Sequence, residues 1–189
     1  MEDIQLNRNI TTSLKVLAIF TGISIISGIV KNEILLSLVD NSMQSIARFT
    51  SYLSLFIGNM LMYIVLIIVF AIPWFLLKLL NSQIELKNYC LSATVFFRVL
   101  IATEILRFSL LWIFLYDEKN KLICDLSLKE QLANTLWFKL NNIFVLASIV
   151  MGAIFFRWSL YRNGKVKFTD SLNASIVILI LLVLLSYNF

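Results

Sequence analysis

Residues Ala93–Tyr116 read ATVFFRVLIATEILRFSLLWIFLY. The stretch is apolar and long enough to cross a bilayer, whose hydrocarbon core takes about 20 helical residues. Yet it carries Arg98, Glu104 and Arg107. Ionisable groups at membrane depth are costly, so they turn toward a bundle interior, a water-filled cavity or each other. The neighbouring apolar segments almost lack charge, which places this span at the centre of an expected bundle.

Working outward, the rest of the chain is of the same kind. Hydrophobic residues make up 60% of the 189 and charged residues 14%, with a mean hydropathy of +0.88. An ordinary soluble domain holds about 45–50% apolar and about 25% charged residues. The pattern predicts an all-α, polytopic transmembrane bundle of five spans in a single integral membrane domain, residues 1–189. Its spans fall at about 16–38, 49–77, 93–116, 138–156 and 172–187. The polar start lacks the basic opening and small-residue cleavage site of a secretory signal, so no cleavage is expected.

Between the spans the signals are local. Val16–Val30, bracketed by Lys15 and Lys31, is short for a full crossing unless the ILLSLV that follows extends it; strong tilt or half-spanning is the alternative. Asn32–Arg48 reads as an amphipathic connection near the interface. Phe49–Leu77 has no charge, and Pro73 near its end is expected to kink or close the helix. Trp74 and Lys78 beside it are typical interface anchors. Ser127 and Glu130 have capping-box spacing, and Leu128, Leu132 and Leu136 form one apolar stripe. An amphipathic helix is therefore predicted to lead into the fourth span, with Asn141 and Asn142 near its entrance. Arg157–Asp170 is the most basic loop, with a turn signal at Asn163-Gly164.

Loop charge sets the orientation. With the N-terminus inside, Arg8, Lys15, Lys78, Lys87, Arg157, Arg162, Lys165 and Lys167 are cytoplasmic, against Lys31, Arg48, Lys119, Lys121, Lys129 and Lys139 outside. The excess favours a cytoplasmic N-terminus. The net charge of +5 is read as this bias rather than as a nucleic-acid footprint. The Ile-, Leu-, Asn- and Lys-rich wording points to a low-GC bacterial genome and hence to a bacterial cytoplasmic membrane.

The composition also excludes chemistry. Histidine is absent, which rules out Ser-His-Asp and Cys-His catalysis within the chain. Cys90 and Cys124 have neither disulfide-framework nor metal-ligand spacing. The acidic pairs Glu2-Asp3 and Asp117-Glu118 stand in polar segments without a nucleophile, and no phosphate-loop or hydrolase motif occurs. No enzyme, cofactor or metal is expected.

Two constellations remain. Glu104 and Arg107, three apart, share a helix face, with Arg98 toward the inner end. They form an ion or proton path in which Glu104 titrates, or a self-neutralising pair that fixes helix rotation while Arg98 snorkels. Arg157, Trp158, Tyr161, Arg162, Lys165 and Lys167 make an aromatic and basic cluster. It contacts anionic headgroups or a partner, or it is an ordinary interface belt.

From Ile64 to Leu106 the chain reads IVLIIVFAIPWFLLKLLNSQIELKNYCLSATVFFRVLIATEIL, a long hydrophobic helix, a polar link and a helix with a basic residue. Asn141–Leu185, NNIFVLASIVMGAIFFRWSLYRNGKVKFTDSLNASIVILILLVLL, adds a span, a basic turn and a terminal apolar helix. In this order the chain resembles the Yip1-domain family of five-span membrane proteins. The resemblance implies an N-cytoplasmic five-helix fold. It does not extend to the acidic-aromatic-Gly-Pro motif of eukaryotic members.

These readings converge on a non-catalytic subunit or scaffold embedded in the lipid bilayer, packing against other membrane proteins or itself as an oligomer. The alternatives are a small transporter or channel subunit using the charged span, and an accessory or immunity protein of a peptide exporter or toxin system.

Overall fold

A computed structural model describes residues 2–39, 41–79, 84–118, 122, 128–164 and 166–188. In chain order the elements are α1 (Glu2–Leu36), α2 (Gln44–Leu79) and α3 (Leu86–Leu110). α3 continues through a π-helical stretch, Leu111–Leu115, into the single turn α4 (Tyr116–Glu118). Then come α5 (Leu128–Asn134), α6 (Leu136–Gly164) and α7 (Phe168–Asn188). Five segments are long and apolar enough to cross a membrane: Asn7–Leu36, Gln44–Leu79, Leu86–Glu118, Leu136–Asn163 and Phe168–Leu185. The protein is an all-α bundle of membrane-length helices, with no strand among the described residues.

The helices close into a ring. α1 packs against α2 and α3, α3 against α6, α6 against α7, and α7 against α2. The charged span is therefore one stave of five rather than an enclosed centre. Five helices around one axis leave each an outer face, and α3 turns Ile105, Leu106 and Trp112 outward.

The first span is longer than its apolar run. α1 is helical from Glu2 because its polar residues find partners on α3. Asn9 Nδ2 donates to the Lys87 carbonyl at 3.2 Å, and Ser13 Oγ donates to the Cys90 carbonyl at 2.7 Å. Ser13 also lies 2.7 Å from Thr94 Oγ1. Such hydrogen bonds between small polar side chains join helices where lipid tails are as apolar as leucine. Both ends of the predicted amphipathic connection after it belong to the long helices, since α1 runs to Leu36 and α2 starts at Gln44. Arg48 donates to Glu33 at 3.1 Å between them.

Pro73 does not close α2, which runs six residues further to Leu79. The ring leaves the Val69 carbonyl without its helical donor. In the same disturbed turn the Phe70 carbonyl accepts the Tyr89 hydroxyl of α3 at 2.7 Å. Neighbouring helices commonly re-satisfy backbone in this way inside membranes. α5 and α6 are separated at Thr135, whose Oγ1 accepts the Phe138 N–H at 3.2 Å as a helix cap. Glu118 Oε2 accepts the Leu136 N–H at 3.1 Å from the end of the adjoining α3–α4 helix. Ser127 of the expected capping box lies outside the described residues. The basic loop is mostly helix, because α6 extends to Gly164.

The core is aromatic. The Phe70 ring sits 5.0 Å from Phe96, 4.9 Å from Phe97 and 5.7 Å from Phe156, at steep interplanar angles. Edge-to-face pairs of this kind contribute about 0.5–1.5 kcal/mol each beyond area burial. α3 and α6 approach closely because Gly152 lies under Phe96. A Cβ at Gly152 would meet the Phe96 ring at 2.6 Å, and Phe96 is fully buried. At Gly28 a Cβ would meet only the flexible end of the Leu55 side chain. Gly152→Ala is expected to destabilise the purified protein by about 1–3 kcal/mol, the usual effect of overpacking. Gly28→Ala should shift the melting temperature in detergent far less, because a leucine rotamer gives more easily than a caged ring. Equal shifts would remove the Phe96 contact as the reason for Gly152.

Candidate functional site

The polar centre lies toward the C-terminal half of α3. Glu104 Oε2 accepts a hydrogen bond from Arg107 Nη1 one turn on, and the Glu104 side chain is 4% exposed against 28% for Arg107. Arg107 Nε donates to Asn141 Oδ1 of α6 at 2.8 Å. The carboxylate, guanidinium and amide thus tie α3 to α6. They also stand between two cavities. One, of about 290 Å³ along the ring axis, is lined largely by apolar side chains including Phe20, Leu100, Val145 and Leu182. The other, of about 160 Å³ between α1, α3 and α6, is lined by Ser24, Ser27, Lys31, Trp137 and Asn141 together with Glu104 and Arg107.

Arg98 does not join this cluster. It is nine residues from Arg107, about two and a half turns, and so points to the opposite side of α3. There it is exposed, with no ion pair among the described residues. Lys31, read from the sequence as a bracket of the first span, instead lines the polar cavity with Arg107. The clue was available: Ser24, Ser27, Gly28 and Lys31 recur at helical spacing on α1. Asn142 is exposed, whereas its neighbour Asn141 faces the site.

The family-model, curated-protein and solved-structure comparisons return no match to this chain.

The basic and aromatic cluster gathers at the other end of the bundle. Arg157 lies over the Phe168 ring at 4.2 Å, Arg162 over Trp158 at 5.2 Å, and Tyr161 meets Phe168 edge-on at 6.0 Å. Trp158, Tyr161, Arg162 and Lys167 are exposed, and Lys165 lies outside the described residues. Cation–π contacts hold the arginines beside rings that suit the headgroup level. Among the described residues no group of three His, Cys, Asp or Glu side chains is placed to hold a metal ion. The polar centre can hold charge and hydrogen bonds.

Proposed function

We propose that the protein is a non-catalytic membrane subunit that packs against a partner membrane protein through the outward face of α3. Arg98 carries this reading. Trp74, with Lys78 over its ring at 4.9 Å, is taken as one membrane boundary, and the buried Tyr89 ring meets Trp74 at 5.3 Å in a tilted contact at the same level. Arg98 is nine residues from Tyr89, about 13 Å along the helix, in a hydrocarbon core about 30 Å thick. That is further than an arginine side chain spans. A lipid-facing guanidinium near the midplane is costly, and a docked helix with a carboxylate at the same depth removes that cost.

The surrounding surface suits a helix. Leu91, Arg98, Ala102, Ile105, Ser109 and Trp112 are exposed along one line at intervals of seven, four, three, four and three residues. This is the repeat of a packing seam between two helices. A second copy of the chain would not neutralise Arg98. Glu104 is taken by Arg107, and Glu33 by Arg48 and Tyr52. The partner is therefore a different membrane protein with an acidic residue in a span. Mild-detergent capture of the tagged chain from its native membrane, followed by mass spectrometry, tests this. A stoichiometric membrane partner supports the reading, and recovery of the chain alone ends it.

A second reading has its own observation. The two cavities meeting at Glu104 and Arg107 are the start of a path, as a small transporter or channel subunit requires. Solute flux in liposomes that Glu104→Gln abolishes, with the fold retained, would favour it over the docking role.

A further inference from the structure

A polar slot of about 600 Å³ runs between α1 and α2, lined by Lys31, Asn32, Ser51, Ser54 and Asn59. Ser51 lies two turns into α2, which begins at Gln44, so the mouth is near a membrane boundary. The floor at Asn59 is eight residues, about 12 Å, deeper. Ser54 and Gly58 on its rim are exposed, so the slot also opens sideways onto the bilayer. A polar recess facing hydrocarbon calls for a polar occupant.

Three observations define that occupant. First, Lys31 has no ion pair among the described residues. The nearest acid in sequence, Glu33, is held by Arg48 and Tyr52. Second, the slot shares Lys31 and Leu55 with the neighbouring polar cavity, which is also lined by Arg107 and Glu104. Lys31 and Arg107 against Glu104 leave one net positive charge, matching a monovalent anion. Third, Asn59 is buried, and its Nδ2 donates to the Leu55 carbonyl at 2.9 Å while its Oδ1 has no donor. A buried acceptor left unpaired is destabilising, so the occupant should bring a donor as well as a charge.

We propose that this slot binds the headgroup of an anionic glycerophospholipid with a polyol end. The phosphodiester, which carries one negative charge, sits on Lys31 and the Ser51 and Ser54 hydroxyls. A headgroup hydroxyl donates to Asn59 Oδ1 once the side chain turns that enclosed atom toward the slot. The lateral opening lets the acyl chains stay in the bilayer, which a free phosphate would not require. This site is distinct from the α3 face and from the Arg157–Lys167 cluster, and it does not depend on either.

The test uses the full chain, stripped of lipid in mild detergent and titrated with short-chain phosphatidylglycerol while thermal unfolding and native mass spectra are recorded. Phosphatidylglycerol is expected to raise the melting temperature by several degrees and to remain bound at one molecule per chain. Lys31→Met should weaken that binding about tenfold, whereas Arg162→Gln, in the distant basic cluster, should leave it unchanged. Asn59→Leu should keep the fold and narrow the preference for phosphatidylglycerol over phosphatidylcholine, whose headgroup has no hydrogen-bond donor. Equal binding by wild type and Lys31→Met overturns the proposal. So does an equal response to phosphatidylcholine, or a full response to inorganic phosphate alone, which would make the occupant a free anion.

Discussion

Glu104→Leu on its own is expected to lower the stability of the purified protein by about 3–5 kcal/mol, and Glu104→Leu with Arg107→Leu to recover most of it. Removing the carboxylate strands the Arg107 guanidinium, 28% exposed, beside a polar cavity with Lys31 as its other charged neighbour. Two cations then face one another without a counter-charge. Removing both members of the pair takes the stranded charge away. Asn141 loses its Arg107 donor in the double variant, so recovery should fall short by about 1 kcal/mol. Unfolding in detergent, by heat or by titrated denaturing surfactant, reads all three variants against wild type. A single variant as stable as wild type would mean that the pair with Arg107 contributes nothing net to stability. A double variant no better than the single would mean that the pair holds the ring together by shape rather than charge. Glu104→Gln is gentler, because an amide still accepts from Arg107 while giving up the charge. That makes it the right substitution for flux measurements, where the fold must persist.

Arg98→Leu should have the opposite character. In the isolated chain the side chain is exposed and has no ion pair among the described residues, so its loss should leave unfolding in detergent within about 0.5 kcal/mol of wild type. In the native membrane the same substitution should abolish recovery of the partner, while Arg98→Lys should keep part of it. Truncating one member of a desolvated charge pair at an interface costs about 2–5 kcal/mol, much of it from the charge left behind on the partner. That corresponds to roughly thirtyfold or more in affinity. A partner recovered equally well with Arg98→Leu would remove the outward α3 face as the docking site. A large loss of stability in the isolated chain would show instead that Arg98 has an internal role. Together the two substitutions separate the inside of α3 from its outside.

Much of this molecule is legible in its sequence. The five spans follow from runs of apolar residues that only a bilayer accommodates, since each helix satisfies its own backbone hydrogen bonds there. The pairing of Glu104 with Arg107 follows from a spacing of three. Even the separation of Arg98 from Arg107 follows from nine residues being two and a half turns, although membrane depth alone invites grouping all three. The absence of histidine, and of any nucleophile motif, narrows the chemistry from composition alone.

What periodicity does not contain is which helices are neighbours. The ring order joins α3 to α1 and α6, and α7 to α2. It rests on contacts such as Gly152 under Phe96, Ser13 against Thr94 and Tyr89 on the Phe70 carbonyl. Each is a match of shape or hydrogen bonding between residues far apart in the chain. The N-terminal extent of α1 has the same reason, because Asn9 and Ser13 find partners on α3. Lys31 shows the limit most plainly. By sequence it is a snorkelling lysine at the end of a span. Only the packing of α1 against α2 and α3 sets it between a polar slot and the Glu104–Arg107 pair. Apolar length and helical phase are local properties of the chain and fix the spans and their faces. The meaning of a charge inside a membrane depends on what lies across from it, and that is decided by tertiary structure.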